Sequence, residues 1–101
     1  MRSEAALQAW LIRECVKRQW YVQKTIGVSR NGFPDVLVIV HGTVWFLELK
    51  TNTGIPSQVQ EREIARIRRA GGNVWILYGK TDCVTWLNAA EKDNHGSTKV
   101  Y

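Results

Sequence analysis

Asp35, Glu48 and Lys50 are the side chains of this sequence whose types and spacing could do chemistry. Asp35 opens one run rich in β-branched residues, Val36-Leu37-Val38-Ile39-Val40, and Glu48-Leu49-Lys50 closes a second, which begins Val44-Trp45-Phe46-Leu47. Two such runs on either side of the short break His41-Gly42-Thr43 predict an antiparallel hairpin. Side chains alternate faces along a strand, so Glu48 and Lys50 share one face, while Trp45, Leu47 and Leu49 take the other. A two-residue turn at His41-Gly42, or a four-residue turn with the same centre, sets Val40 opposite Thr43 and Asp35 opposite Glu48. Directly opposed cross-strand Cβ atoms lie about 4.5–5.5 Å apart. Two carboxylates that close repel each other and lose hydration if covered, unless a cation sits between them. A hard divalent ion is the simplest remedy.

Other elements must bring further groups to that face. Ser3 is a plausible N-cap for a helix over residues 3–18, whose Glu4, Leu7, Leu11 and Cys15 fall on one stripe. Glu4 thus lies at the end of the inward face. A negative charge in a first helical turn also favours the helix dipole wherever it points. Residues 20–25 read as a first strand, and 27–32 as a polar connector that carries Arg30 and Asn31 up to Pro34, where a basic loop could hold a backbone phosphate or simply turn in solvent. Pro34 is harmless at a strand start and stiffens the backbone before Asp35.

After the loop 51–56, Ser57 opens a second helix. Ser57-x-x-Gln60 matches a capping box, which is a complete structural reason for Gln60. Gln60, Ile64, Ile67 and Gly71 also form the stripe facing the sheet, which carries Gln60 towards Glu48 and Lys50. Arg62, Arg66 and Arg69 lie roughly 200° away by the 3.6-residue period, as a solvated face paired with Glu61 and Glu63 or as a contact for DNA or a second subunit. Ala70-Gly71-Gly72-Asn73 stops the helix. The apolar run Val74-Trp75-Ile76-Leu77-Tyr78 suits a strand buried on both faces, parallel to 44–50 through a right-handed crossover. Residues 81–87 read as a short final helix, with Thr81 or Asp82 near its N-cap. Beyond Asn88 the chain turns polar and is expected to fray, with Lys99-Val100-Tyr101 available as an edge strand.

Pro34-Asp35 followed by Glu48-Leu49-Lys50 resembles the PD-(D/E)xK nuclease signature. Gly32-Phe33-Pro34-Asp35, Glu48-Leu49-Lys50-Thr51, Ser57-x-x-Gln60 and Ala70-Gly71-Gly72 together resemble the blocks of its VRR-NUC branch, the virus-type replication-repair nuclease domain, over roughly residues 3 to 87. The resemblance implies an α/β fold of order αβββαβα, a restriction-endonuclease-like mixed sheet flanked by helices, with a nuclease domain over 1–87 and a polar tail over 88–101. It implies that Asp35, Glu48, Lys50 and Gln60 are catalytic. It also implies that Glu4, Asp35, Glu48 and the Leu49 carbonyl hold Mg²⁺ or Mn²⁺, and a nucleic-acid substrate would give Arg30, Asn31, Arg62, Arg66 and Arg69, read above from charge and position, phosphates to meet. Stand-alone domains of this size resemble phage-type endonucleases that act as homodimers on branched DNA such as Holliday junctions. Oxygen donors suit a hard ion, and the absence of His and Cys from the charged face disfavours zinc. A catalytically idle nucleic-acid-binding or assembly module would keep the core and the basic surface without needing the full acid-plus-lysine set.

Composition is consistent with this and decides less. The 101 residues fit one domain with one modest core, and a net charge of +5 leans towards a polyanionic partner. The apolar runs fall short of the ~20 residues that span a bilayer, and no signal-peptide pattern opens the chain, which points to a cytoplasmic protein without a membrane or organic cofactor among its partners. Cys15 and Cys83 read as small core residues.

Overall fold

The structure is a computed structural model that describes residues 3–25 and 31–93. Its elements run α1 (Glu4–Lys17), β1 (Tyr21–Lys24), β2 (Val36–Val40), β3 (Thr43–Lys50), α2 (Gln58–Arg69), β4 (Asn73–Tyr78) and α3 (Gly79–Lys92). This is the expected αβββαβα order.

The four strands lie in the order β1-β2-β3-β4, with the first two pairings antiparallel and β3 to β4 parallel. Val40 pairs with Thr43 and Val36 with Leu47. That is the register of the two-residue turn, in which His41 and Gly42 both take positive φ (50° and 84°), as a type I′ turn requires. The paired ladder ends at Val36 and Leu47, and the same register continued one step would set Asp35 against Glu48.

Alternation along β2 and β3 sorts the side chains into two faces. Val36, Val38, Val40, Trp45, Leu47 and Leu49 meet Leu7, Leu11 and Cys15 of α1 and Cys83, Trp86, Leu87 and Ala90 of α3 in one core. Trp86 is its largest fully buried side chain and takes the rings of Trp20 and Trp45 edge-on, with centroids 5.9 and 6.0 Å away. Burial pushes the Cys15 and Cys83 thiols up to about 12, and neither forms a disulfide. The opposite face, with Phe46, Glu48 and Lys50, is covered by α2. Both α1 and α2 are capped as their sequences require: Ser3 Oγ accepts from the Ala6 amide, and Ser57 Oγ from the Gln60 amide. Past Ala70, α2 closes through amide bonds from Gly71 to the Arg68 carbonyl and from Gly72 to the Ile67 carbonyl.

Three expectations change. β4 is buried less completely than expected: Val74 on one face and Leu77 on the other are buried, while Trp75, Ile76 and Tyr78 are only partly covered, and the strand lies at the sheet edge. The final helix is longer than 81–87, because Gly79 and Lys80 begin it and Ala90 is buried beyond Leu87. Its N-cap is Tyr78 rather than Thr81 or Asp82; Asp82 lies in the first turn, where Oδ2 accepts the Tyr78 amide at 2.8 Å. Glu63 is buried on α2. The expected polar stretch beyond residue 93 lies outside the described residues. Among the described residues no helix is long and apolar enough to cross a membrane.

Candidate active site

Asp35 sits immediately before β2 and is fixed from three sides. The Thr25 amide donates to its backbone carbonyl at 3.0 Å, and the Thr25 hydroxyl donates to the carbonyl of Pro34, so the strand start is tied to β1. Phe33 meets Phe46 edge-to-face with centroids 5.8 Å apart, which seats the segment on the α2 side of the sheet. Gly32 passes so close to α2 that a Cβ there would stand 2.6 Å from the Val59 carbonyl oxygen and 2.9 Å from the Gln60 nitrogen, and its φ of +78° is one that side chains resist. The glycine therefore sets the distance between the Asp35 strand and the start of α2.

The Asp35 carboxylate turns towards β3, where Oδ2 accepts the Leu49 amide at 2.9 Å. In an extended strand a residue's N–H and C=O point the same way, so the Leu49 carbonyl faces the same side.

Glu48 is 1% exposed and Lys50 8%, in the middle of an otherwise apolar sheet. Oε2 of Glu48 accepts Gln60 Nε2 at 2.9 Å and lies 3.5 Å from Lys50 Nζ. Gln60 Oε1 meanwhile accepts the Ser57 amide at 2.8 Å. The two reasons for Gln60 turn out to be compatible, because one end of the amide completes the capping box while the other holds the glutamate. Oε1 of Glu48 is buried with no hydrogen-bond partner. A buried, unpartnered carboxylate oxygen is costly, and this one belongs to a carboxylate whose other oxygen is fully engaged.

The electrostatics agree. Burial, then the neighbouring Asp35 charge, push the Glu48 carboxyl up to about 7, against a smaller opposing pull from Lys50. Asp35 is also raised, again chiefly by burial, with the Leu49 amide opposing. Glu4 stands exposed in the first turn of α1, and its charge pushes both carboxyls the same way. Among the described residues no group of three or more His, Cys, Asp or Glu side chains is gathered to hold a metal ion. The arrangement is a carboxylate pair with one oxygen free beside a lysine. It fits a hard cation that takes its remaining donors from carbonyl oxygen and water.

The structure therefore brings together Asp35, Glu48, Lys50, Gln60 and the Leu49 backbone. Asn31 is exposed in the turn before Gly32, and Arg62, Arg66 and Arg69 are all exposed on α2. Arg30 lies outside the described residues. Two features escaped sequence reasoning. Gly32 was visible only as a motif letter, since the helix it packs on lies 27 residues further along the chain by numbering, Gly32 to Val59. Arg68, which carried no assignment, donates Nη2 to the Val74 carbonyl at 2.8 Å and so ties the edge strand to α2.

No protein-family model matches the chain, and no curated protein does. Among solved structures, one described as a VRR_NUC domain superposes with a TM-score of 0.76 at 29% identity, over 84% of this chain and 94% of that one. Hjc, a Holliday junction resolvase from the archaeal hyperthermophile Archaeoglobus fulgidus, superposes with a TM-score of 0.57 at 16% identity, over 75% of this chain and 63% of its own length. The chain thus spans less than two thirds of the resolvase, and the likeness there is one of fold. The architecture is the restriction-endonuclease-like α/β fold of the PD-(D/E)xK nucleases. Within that class the chain is similar to the VRR-NUC domain, as its motif blocks suggested.

Proposed function

We propose that this chain is a divalent-metal-dependent endonuclease that hydrolyses DNA phosphodiester bonds, acting on branched DNA in the manner of a phage-type Holliday junction resolvase. The observation that carries the reading is the buried, unpartnered Oε1 of Glu48 beside Asp35. The core tryptophans Trp45 and Trp86 also leave an indole nitrogen unpartnered, but only the Glu48 oxygen belongs to a carboxylate, the group a cation would satisfy. The similarity to a VRR_NUC domain and to a junction resolvase supports the nuclease class.

Asp35, Glu48 and the Leu49 carbonyl would hold Mg²⁺ or Mn²⁺; Glu4, exposed on α1 and not gathered with the other two acids, would have to turn in to serve as a third. When bound, the ion supplies positive charge for the phosphoryl oxygens and acidifies a water. The chain's own groups do the rest. Gln60 holds Glu48 Oε2 so that Oε1 is the oxygen left to bind. Lys50 orients the attacking water and offsets negative charge as it develops on the phosphate. Asn31 and Arg30 before the site, and Arg62, Arg66 and Arg69 along α2, take backbone phosphates. A homodimer would supply two sites to the two related strands of a four-way junction.

Labelled four-way junctions, flaps and linear duplexes incubated with Mg²⁺, Mn²⁺ or chelator test this. Cleavage is expected with metal alone, and Asp35→Ala and Glu48→Ala should abolish it with the circular dichroism spectrum retained. Full cleavage in chelator, or by either variant, overturns the assignment. Binding without any cleavage would leave an idle binding module. A monomer that prefers flaps or ends removes the resolvase part alone.

A further inference from the structure

Ile55 is the most exposed large apolar side chain among the described residues, at 82%. It sits in the segment 51–57, which joins Lys50 directly to Ser57, the cap of α2. That segment is held in place from both sides. The Gly54 amide bonds to the Thr51 carbonyl at 3.0 Å, and Gly54 lies against the Lys50 stem, where a Cβ would be 3.4 Å from Lys50 Cβ and Cδ. On the other side the Asn52 side chain rests on Gly79, in space that any Cβ there would occupy, 1.9 Å from Asn52 Oδ1. Ile55 therefore projects from a braced loop one residue from the wall of the Lys50 side chain.

The usual structural use of an apolar residue before a helix is a staple between the residue preceding the cap and the fourth helical residue. Those positions are Pro56 and Glu61, so that role is closed to Ile55. Val59, one turn further, is also exposed, at 44%.

We propose that Ile55 is an apolar wedge that contacts an unstacked base at the branch point of the DNA held over the site. The inference rests on the nuclease reading for what lies over the site. A β-branched side chain is stiff at χ1, and apolar wedges of this kind enter between base steps that have lost part of their stacking. Charge selects nucleic acid over a second copy of the chain. The loop runs from the Lys50 end of β3 to the cap of the helix that carries Gln60, so DNA held over the site passes it, and the chain's net charge of +5 favours a polyanion there.

The test places 2-aminopurine at the centre of a four-way junction and reads its fluorescence on binding in chelator, where nothing is cut. Wild type should raise the signal several-fold. Ile55→Ser should lose at least half of that rise, and Ile55→Leu should restore it. Val16→Ser, at a comparably exposed site on α1, should keep it. An equal rise in Ile55→Ser overturns the wedge, as does a dimer that becomes a monomer on the same substitution, since a second copy would then be what covers Ile55. Unstacking without cleavage when Mn²⁺ is added sinks the nuclease reading and leaves the wedge. Cleavage without unstacking does the reverse. Failure to bind the junction overturns both.

Discussion

Replacing Glu48 with glutamine should make the metal-free protein more stable at pH 8, although it removes the group on which the proposed activity depends. Glu48 titrates at about 7 in the folded chain against an ordinary 4.5. At about 1.4 kcal/mol per pH unit, that difference corresponds to ~3 kcal/mol. Because the folded value lies above the unfolded one, the folded state holds a proton that the unfolded state has released between about pH 4.5 and 7. The associated stability is fully present below 4.5 and lost as pH rises through 7. Asp35, raised by the same burial, adds in the same direction. Glutamine keeps the shape, still accepts Gln60 Nε2 through its carbonyl oxygen, and carries no charge to bury.

Urea unfolding followed by the fluorescence of the five tryptophans, in chelator from pH 4.5 to 8.5, measures this. The variant should match wild type near pH 4.5 and exceed it by up to ~3 kcal/mol above pH 7.5, a shift on the order of 10 °C or more in Tm for a domain of this size. Added Mg²⁺ or Mn²⁺ should close the gap by stabilising wild type alone. Parallel pH profiles for the two proteins, or a variant less stable at pH 8, would refute the reasoning.

Other substitutions read other parts of the same construction. Gln60→Ala removes both the reciprocal arm of the capping box and the donor to Glu48, so it should cost ~1–2 kcal/mol in urea unfolding and move the Glu48-dependent pH transition upward. Gly32→Ala forces a Cβ onto the Val59 carbonyl at a positive φ; a loss of ~2–3 kcal/mol is expected in thermal unfolding, and a change within ~0.5 would show that the strand and helix can part. Lys50→Met withdraws the pull that holds Glu48 down, so the pH transition should rise, and turnover should fall more than the metal affinity found by calorimetry. Gln19 ends α1 at φ 62° without being glycine; Gln19→Gly should stabilise by ~1 kcal/mol, read as a higher urea midpoint.

What could be read in advance divides along the range of the interactions. The hairpin register follows from a His-Gly turn and strict alternation, both local, and the face shared by Glu48 and Lys50 followed from it. The caps at Ser3 and Ser57 are local too. How far β4 is covered was not, because a short apolar run reads alike whether it ends a sheet or fills its middle. The end of α3 was missed for a related reason: Ala90 is a poor apolar signal in sequence, yet it closes the core against α1 and the sheet. Gly32 was legible as a letter of a motif and illegible as a contact.

Gln60 shows how the site and the fold constrain one another. Its amide has one acceptor and one donor group, and the structure uses the acceptor to start a helix and the donor to hold a carboxylate. The helix therefore cannot slide along the sheet without releasing Glu48, and Glu48 cannot turn its engaged oxygen away without leaving the Gln60 Nε2 donor unpaired. Close approach at Gly32 removes the remaining freedom, since the strand carrying Asp35 and the turn of helix carrying Gln60 are in van der Waals contact. The carboxylate pair is thereby held in a geometry that its own repulsion opposes. That strain is relieved by protonation or by a cation, and above pH 7 only the cation remains available.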